Sequence, residues 1–190
     1  MEEKNTRELI MQEALNLFAD KGYAAVSMRD IATAVGIRAS SIYNHFSGKQ
    51  ELFIALVQKA NGVKNSLQAV FMNAFSKVET VEEEAFVQAG VFFLTGYLHN
   101  PQVAPLLKVL ECERFHNEEA DKAWCELMLS APLEHEVTIF KMLKMSGMIE
   151  DENAEELAAE YQSAILLAYF TKDLEQLQRQ LRRFYQRIFR

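Results

Sequence analysis

Hydrophobic and polar positions along this chain repeat with a helical period and predict an all-α protein. Apolar residues recur every three or four positions in a first segment that starts near Asn5 or Thr6 and stops at Lys21-Gly22. The same period returns at about 48–75, 85–98, 103–115, 118–145, 153–169 and 172–188. A two-residue alternation long enough for a strand is not found, so we expect helices alone.

Short polar signals divide these segments. A capping box, in which two side chains bond each other's backbone at a helix start, is predicted at Ser47/Gln50. Thr80-x-x-Glu83 is predicted to cap the helix that follows it, and Asn153-x-x-Glu156 to start another. Ala131-Pro132 predicts a kink or a split within 118–145, because proline cannot continue the helical hydrogen bonding. Gly147 marks the end of that segment.

The segment from Ser27 to Phe46 predicts two short helices joined by a tight turn. Ser27 is a candidate cap that Asp30 can reciprocate, and Gly36 follows where a positive φ suits glycine best. The second helix, from about residue 39 to 45, is short and polar, so its neighbours must hold it in place. A short polar helix supported by a first helix is the design of helix-turn-helix DNA-binding proteins.

The same segment resembles the N-terminal signature of TetR-family transcriptional regulators. The matching positions are Phe18-x-x-Lys21-Gly22-Tyr23, Ser27-Met28-Arg29-Asp30-Ile31-Ala32, Gly36-Ile37, Ile42-Tyr43-Asn44-His45-Phe46 and Lys49-x-x-Leu52. They cover roughly the first third of the chain and agree in both order and spacing.

This resemblance implies an all-α fold with an N-terminal three-helix DNA-binding domain, joined by a long helix to a helical C-terminal domain. It places the helix-turn-helix domain at 1–47, or to about residue 50, and the effector-binding and dimerisation domain at 48–190. It further implies a ligand-responsive repressor that acts as a homodimer on a pseudo-palindromic DNA operator. The alternative is a helical effector-binding or interaction protein without operator recognition.

The family motif assigns DNA contacts by position. Ser27, Tyr43 and Lys49 would meet phosphates, and Arg29 would meet a base edge or a phosphate. His45 either packs under the helix, touches a phosphate or does both. The residues expected against the major groove are Arg38, Ala39, Ser40, Ser41 and Asn44. In the structural alternative Ser27 is only a cap, Tyr43 is core and Lys49 is a solvated charge.

The resemblance implies that the last two helices of each subunit form the dimer interface. Residues of the final helix recur at alternating steps of three and four, which is typical of a seam between packed helices. The predicted interface residues are Leu157, Tyr161, Ile165, Leu174, Leu177, Leu181, Phe184 and Ile188. The alternative is that the seam packs only within its own subunit.

The final helix also carries five arginines, for which we predict internal charge pairing. An antiparallel hairpin would bring the acids of the preceding helix beside them. The acids are Glu152, Glu155, Glu156 and Glu160, and the arginines are Arg179, Arg182, Arg183, Arg187 and Arg190.

An effector pocket is implied by the family, and candidate walls are aromatic residues and methionines of the C-terminal part. They are Phe92, Phe93, Tyr97, Phe115, Trp124, Met128, Phe140, Met142 and Tyr169, any of which can equally be plain core. Glu111 and Glu113 would favour a cationic lipophilic ligand, although acids on a helix are usually solvated.

The charge and the composition of the chain are compatible with a DNA-binding regulator. The net charge is −7, but residues 1–60 carry seven Lys/Arg and seven Asp/Glu, so the acidity belongs to the rest of the chain. The charged start and the absence of a long apolar run predict a cytoplasmic protein that does not enter a membrane. The two cysteines, Cys112 and Cys125, show no metal or redox spacing.

An enzyme is not expected, and neither is a cofactor or a metal site. Glu113-x-x-His116 has the spacing of a di-iron ligand pair, but such centres need the motif twice and two more glutamates. The sequence contains no glycine-rich phosphate loop and no nucleophile elbow.

Overall fold

The computed structural model describes residues 2–75, 79–149 and 153–189, and these residues are almost entirely helical. The helices are α1 (Glu2–Lys21), α2 (Met28–Val35), α3 (Ala39–Ile42), α4 (Lys49–Phe75), α5 (Glu83–Phe93), α6 (Ala104–Glu113), α7 (Glu118–Cys125), α8 (Ala131–Met145), α9 (Ala154–Thr171) and α10 (Leu174–Ile188). Leu94–Leu98 and Glu126–Ser130 are π-helical turns. The predicted all-α fold is confirmed.

Several helix boundaries follow the predicted caps, and two do not. Asn153 Oδ1 accepts from the backbone N–H groups of Glu155 and Glu156, as its capping role requires. The box predicted at Ser47/Gln50 is wrong in its partner, because the Ser47 backbone and hydroxyl both donate to Glu51, each at 2.7 Å. The Thr80/Glu83 cap is also wrong, since α5 begins at Glu83 and Glu82 is its N-cap without a side-chain bond.

By its internal contacts the chain divides into two compact units. The first unit comprises Met1–Val63 and Pro101–Cys125, and the second comprises Lys64–Asn100 and Glu126–Arg190. The helices α6 and α7 thus belong to the same unit as the helix-turn-helix segment. The functional boundary near residues 47–50 stays a prediction.

The first unit has its core where α1 packs against α2 and α6. Phe18, Ile31, Ile42 and Phe46 are at most 2% exposed. The Arg7 guanidinium covers the outer side of this core, 4.3 Å from the centre of the Phe46 ring. This buried cluster fixes α2 and α3 against α1.

The second unit is a helical bundle in which α8 packs on α9, and α10 packs on both α5 and α9. Phe86, Phe140, Tyr161 and Phe184 form an aromatic cluster with ring centres 5.3–6.2 Å apart. Gly90 lets α5 approach α10 closely, because a Cβ at this position would lie 2.5 Å from Leu181 Cδ1.

The break predicted at Ala131-Pro132 is a π-helical turn just before the proline. Pro132 has no N–H to donate backward, so carbonyls of the preceding turn lose their usual partner. The hydroxyl of Tyr97 donates to the Leu127 carbonyl at 3.2 Å, and Gln162 Nε2 donates to the Met128 carbonyl at 3.0 Å. Side chains from two other segments therefore satisfy the backbone at the break.

The seam predicted as a dimer interface lies within its own unit. Six of its side chains are at most 5% exposed in this single chain, and only Leu174, at 40%, is open. The six are Leu157, Ile165, Leu177, Leu181, Phe184 and Ile188. This burial has a simple cause, since α5 packs on α10 and α8 packs on α9. The interface itself stays a prediction.

Internal charge pairing of the final helix is observed, with partners on α5, on α9 and, for Arg179 with Glu175, on α10 itself. Arg187 pairs with Glu160 of α9 at 2.5 Å, as predicted. Arg182 pairs instead with Glu83 at 3.0 Å and Glu84 at 2.5 Å, both at the start of α5. Glu152 and Arg190 lie outside the described residues.

Among the helices of the described ranges, none combines the length and the apolar character that crossing a membrane requires.

Candidate nucleic-acid interface

The turn between α2 and α3 is fixed by local hydrogen bonds. Ser27 Oγ accepts from the Asp30 backbone N–H, and Asp30 accepts from both the backbone N–H and the hydroxyl of Ser27, at 2.8 and 2.6 Å. These bonds to Ser27 hold the pKa of Asp30 below its usual value. Gly36 ends α2 with φ +77°, the left-handed conformation that the turn needs.

The polar residues of α3 and its flanks face outward. Ile42 is fully buried beneath the helix, and Phe46 is 1% exposed, which orients the opposite side toward solvent. The predicted DNA-contacting residues on the exposed side are Ser27, Arg29, Arg38, Ala39, Ser40, Tyr43 and Asn44, with Ser41 and His45 half-buried. Tyr43 is 54% exposed and so is not a core residue.

This outward face has a chemistry suited to a polyanion. Arg29 and Arg38 are its cations, and Asp30 is held in the capping box at one side. Serine and asparagine side chains can donate to phosphate oxygens and to base edges alike. The short helix α3 thus presents polar groups on a rigid apolar support.

Lys49 is not a solvated surface charge, because its side chain is hydrogen-bonded to the backbone of a preceding loop. Its ammonium group donates to the carbonyls of Tyr23, Val26 and Ala24, at 2.6, 2.8 and 3.3 Å. It also lies 4.4 Å from the centre of the Tyr23 ring. Burial lowers the pKa of Lys49, so these contacts offset the cost of placing a charge there. In this structure Lys49 ties the start of α4 to the loop that precedes α2.

Glu113 holds the same loop from another helix of the unit. Its carboxylate accepts from the backbone N–H of Tyr23 at 2.9 Å. Burial raises the pKa of the Tyr23 phenol, and the carboxylates of Glu119 and then Glu113 raise it further. His116, its partner in the predicted motif, is exposed. A grouping of three or more side chains able to bind a metal is not found in the described part of the chain.

The second unit contains a cavity of about 290 Å³ between α4, α5, α8 and α9, with walls that are mostly aromatic and aliphatic. A smaller recess of about 40 Å³ adjoins this cavity, and five residues line both spaces. The shared residues are Phe71, Ala89, Glu136, Ile139 and Tyr161. Exposed Thr80 and Glu82 lie at the rim.

The residues predicted for an effector pocket are not gathered in one place. Phe140 lines the cavity, and Phe92 and Phe93 line the recess. Tyr97 and Met128 are completely buried core, and Met142 is half-buried on α8. Tyr169 stacks on His99.

Phe115 and Trp124 belong to the first unit and do not line the cavity or the recess. Phe115 is 77% exposed, and Trp124 is 8% exposed with the Arg114 guanidinium 3.7 Å from its ring centre. Glu111 and Glu113, the predicted acidic groups, also belong to that unit.

Sequence reasoning missed most of the cavity wall, including Phe86, Glu136, Ile139 and Leu143. Glu136 carries the strongest signal, a charged residue type inside the apolar period of α8. It follows apolar Pro132 by four positions and precedes Phe140 by four, so it lies on the helix's buried face.

Comparison with known proteins agrees with this architecture. Residues 10–56 match the tetR family of bacterial regulatory proteins. The transcriptional activator FasR of Mycolicibacterium smegmatis is 31% identical over 114 residues, which are 54% of this chain. The transcriptional regulator UidR of Escherichia coli K12 is 24% identical over 171 residues, covering 84% of this chain and 87% of UidR.

The aligned segment spans 52% of FasR, so this chain matches about half the length of that relative. A crystal structure of a Mesorhizobium loti protein assigned to the TetR family superposes over the whole of both chains with a TM-score of 0.73 at 21% identity. That likeness concerns the fold. Residues 10–56 thus match the tetR family of bacterial regulatory proteins, and the resemblance to TetR-family transcriptional regulators that the sequence indicated is confirmed for this segment.

Proposed function

We propose that this protein is a cytoplasmic, ligand-responsive repressor that binds a pseudo-palindromic operator as a homodimer. The observation that carries the proposal is the solvent-exposed polar face of α3, whose orientation is fixed by buried Ile42 and Phe46. A helix held in this way can enter a major groove with its serine, asparagine and arginine side chains against base edges. The residues proposed to meet DNA are Ser27, Arg29, Arg38, Ala39, Ser40, Ser41, Tyr43, Asn44, His45 and Lys49.

Selection of binding sites from a random DNA pool tests this proposal, followed by gel-shift titration on the enriched sequence. We expect a sequence with twofold symmetry. Arg38→Ala should weaken binding by about tenfold or more if the side chain reads a base. Lys108→Ala is the matched control, because it removes one exposed positive charge from the same unit.

The proposal fails if no sequence is enriched, or if both variants bind like the parent. A helical effector-binding or interaction protein without operator recognition would then be the better description. Placing the selected operator upstream of a reporter gene decides the sign of regulation, since FasR is an activator whereas AcnR of Corynebacterium efficiens is a repressor. We expect reporter expression to rise when the gene for this protein is deleted.

The proposed dimer contact is the exposed apolar surface where α9 ends and α10 begins. Leu167, Phe170 and Leu174 are 41%, 55% and 40% exposed in this chain. An operator with two half-sites needs two DNA-binding units related by a twofold axis, which a self-complementary contact supplies. We expect Phe170→Asp to give monomers in sedimentation, whereas Phe115→Asp, which alters an exposed phenylalanine of the other unit, leaves the dimer intact.

The cavity of the second unit is the proposed effector site. Fold neighbours with known ligands support the assignment: SmeT, solved with triclosan, has a TM-score of 0.67, and a Saccharomonospora viridis regulator solved with choline has 0.62. An effector acts by binding the DNA-incompetent state more tightly than the DNA-bound state. Its addition should therefore weaken operator binding in the gel shift.

A further inference from the structure

The cavity is lined by a buried carboxyl group, that of Glu136, one oxygen of which has no hydrogen-bond partner among the described residues. Glu136 is only 6% exposed, and it lines both the cavity and the adjoining recess. Its Oε2 atom makes no hydrogen bond within the part of the chain that the structure describes. An unpaired buried carboxyl costs folding free energy, so its presence in a cavity needs a reason beyond packing.

Neighbouring charges do not supply that reason. Burial alone raises the pKa of Glu136 well above its usual value, with no contribution from a nearby cation. Lys64 instead acts on Glu126, Glu134 and His135. The titratable groups that line the cavity and recess with Glu136 are Tyr161 from α9, His135 from α8 and Glu82 at the rim.

The rest of the wall is suited to the apolar body of a cation. Phe71, Phe86, Phe140 and Tyr161 line the cavity, and their ring faces attract positive charge. A cation placed among them would be stabilised both by these rings and by an ionised Glu136 carboxylate. An anion would be repelled by Glu82 at the rim and by an ionised Glu136, and a neutral apolar ligand would leave Glu136 Oε2 without a hydrogen bond.

We propose that this cavity binds a small lipophilic monocation, with its ammonium group beside Glu136 and its apolar part against Phe86 and Phe140. The inference rests on the proposed effector role of the cavity and names the chemical class of the effector. Glu136 acts as the group that selects charge, while the aromatic walls select size and apolarity.

Binding of such a cation is coupled to a proton. In the empty cavity the Glu136 carboxyl holds its O–H proton at pH values where an exposed glutamate is ionised. When the cation enters, that O–H bond breaks, the electron pair stays on the carboxylate, and the proton passes to the buffer. Affinity for a permanent cation should therefore rise with pH until Glu136 is ionised in the free protein.

Two isosteric probes test the proposal on the unaltered full chain. Benzyltrimethylammonium carries a permanent charge, and neopentylbenzene has the same shape with carbon in place of nitrogen. By calorimetric titration we expect the cation to bind at least about tenfold more tightly, with proton release seen as a dependence on buffer ionisation enthalpy. Equal affinity for the two probes, or tighter binding of the neutral one, overturns the proposal.

The variant Glu136→Gln keeps the size of the side chain and removes its charge. We expect it to lose at least about tenfold in affinity for the cation while its affinity for neopentylbenzene stays within about threefold. Glu134→Gln, two residues away on the exposed side of α8, is the matched control and should bind both probes like the parent. A Glu136→Gln variant that keeps the cation preference contradicts the assignment.

Gel shifts on the same samples separate this inference from the proposed regulatory function. If the cation binds with these preferences but operator affinity does not change, the charge-selecting site stands and its regulatory role fails. If operator binding itself is absent, the calorimetric comparison still decides the identity of the ligand class.

Discussion

A half-buried ammonium group in the first unit and a buried carboxyl group in the second differ in how they are paired. In the first, the Lys49 ammonium is surrounded by three carbonyl acceptors, and Glu113 accepts from the Tyr23 backbone. In the second, Glu136 lines a cavity with one oxygen unpaired. Polar groups whose hydrogen bonds are all made hold the surrounding backbone in one conformation. A polar group without a partner that lines a cavity favours a ligand able to form the missing hydrogen bond or ion pair. The first arrangement suits reading DNA, and the second suits sensing a small molecule.

The largest effect is expected from closing the tight contact between α5 and α10 of the second unit. Gly90→Ala would put a Cβ 2.5 Å from Leu181 Cδ1 and 3.0 Å from Tyr161 Oη, so helices must move apart. We expect a loss of about 2–3 kcal/mol in the free energy of unfolding, measured by urea denaturation. Gly62→Ala, a helical site with open space around it, is the control and should be neutral or stabilising.

The same two variants also test whether the cavity is a specific feature of a well-packed bundle or an ordinary packing defect. If Gly90→Ala costs nothing, the second unit is loosely packed throughout, and the space near Glu136 is an ordinary packing defect. A large cost shows that the cavity is a local opening in a close-packed bundle.

The next effect concerns the satisfied polar groups of the first unit. Lys49→Met keeps the length of the side chain and removes the donor shared by the Tyr23, Ala24 and Val26 carbonyls. We expect the free energy of unfolding to fall by about 2 kcal/mol. Lys59→Met, which removes an ammonium paired with surface Glu8, should cost less than about 1 kcal/mol.

The same variant measures how far Lys49 contributes to DNA binding. A direct phosphate contact would make the salt dependence of operator binding shallower by about one unit in the slope of log affinity against log salt. If Lys49→Met lowers stability and leaves that slope unchanged, the residue supports the interface without touching DNA.

The polar surface of the first unit could be predicted because its determinants are local. Ser27 and Asp30 are three residues apart, Gly36 follows within the same segment, and the apolar period around Ile31 orients the helix. The hydrogen bonds of Lys49 could not be predicted, because its carbonyl acceptors lie 23–26 residues earlier in the sequence and become its neighbours only in the folded unit.

The position of the cavity and the helix that covers the apolar face of α10 could not be predicted from neighbouring residues in the sequence either. Glu136 differs from exposed Glu134 in sequence by its four-residue spacing to Pro132 and Phe140, but this spacing does not predict a cavity, whose other walls are on α4, α5 and α9. The periodic seam of α10 was correctly predicted as a packed face, but its period does not reveal which helix covers it. Here α5 does, with Gly90 as the point of closest approach.

A pH-dependent prediction addresses the unsatisfied carboxyl directly. The folded-state pKa of Glu136 is raised, so above the unfolded-state value near 4.5 the unfolded chain releases its proton first. Stability therefore falls as pH rises from about 4.5 to the folded-state pKa, by about 1.4 kcal/mol for each unit between the two values. Glu136→Gln should lack this decline and be about 1–2 kcal/mol more stable than the parent at pH 8.

Urea denaturation of both proteins between pH 4.5 and 8 measures this difference, in which groups common to both proteins cancel. Glu134→Gln should follow the parent at every pH. A constant difference between Glu136→Gln and the parent across this range would mean that Glu136 finds a partner for its charge in the folded protein.

The smallest effect on stability, and the finest test of the interface, is at Ser27. Its hydroxyl caps α2 and is also a predicted phosphate donor. Ser27→Ala should cost about 1 kcal/mol in unfolding free energy and Ser27→Gly only a few tenths, since glycine is a tolerable N-cap. If the hydroxyl also binds a phosphate, both variants lose operator affinity equally, by about fivefold, in gel-shift titration. If Ser27 is only a cap, the alanine variant loses more affinity than the glycine variant, in step with stability.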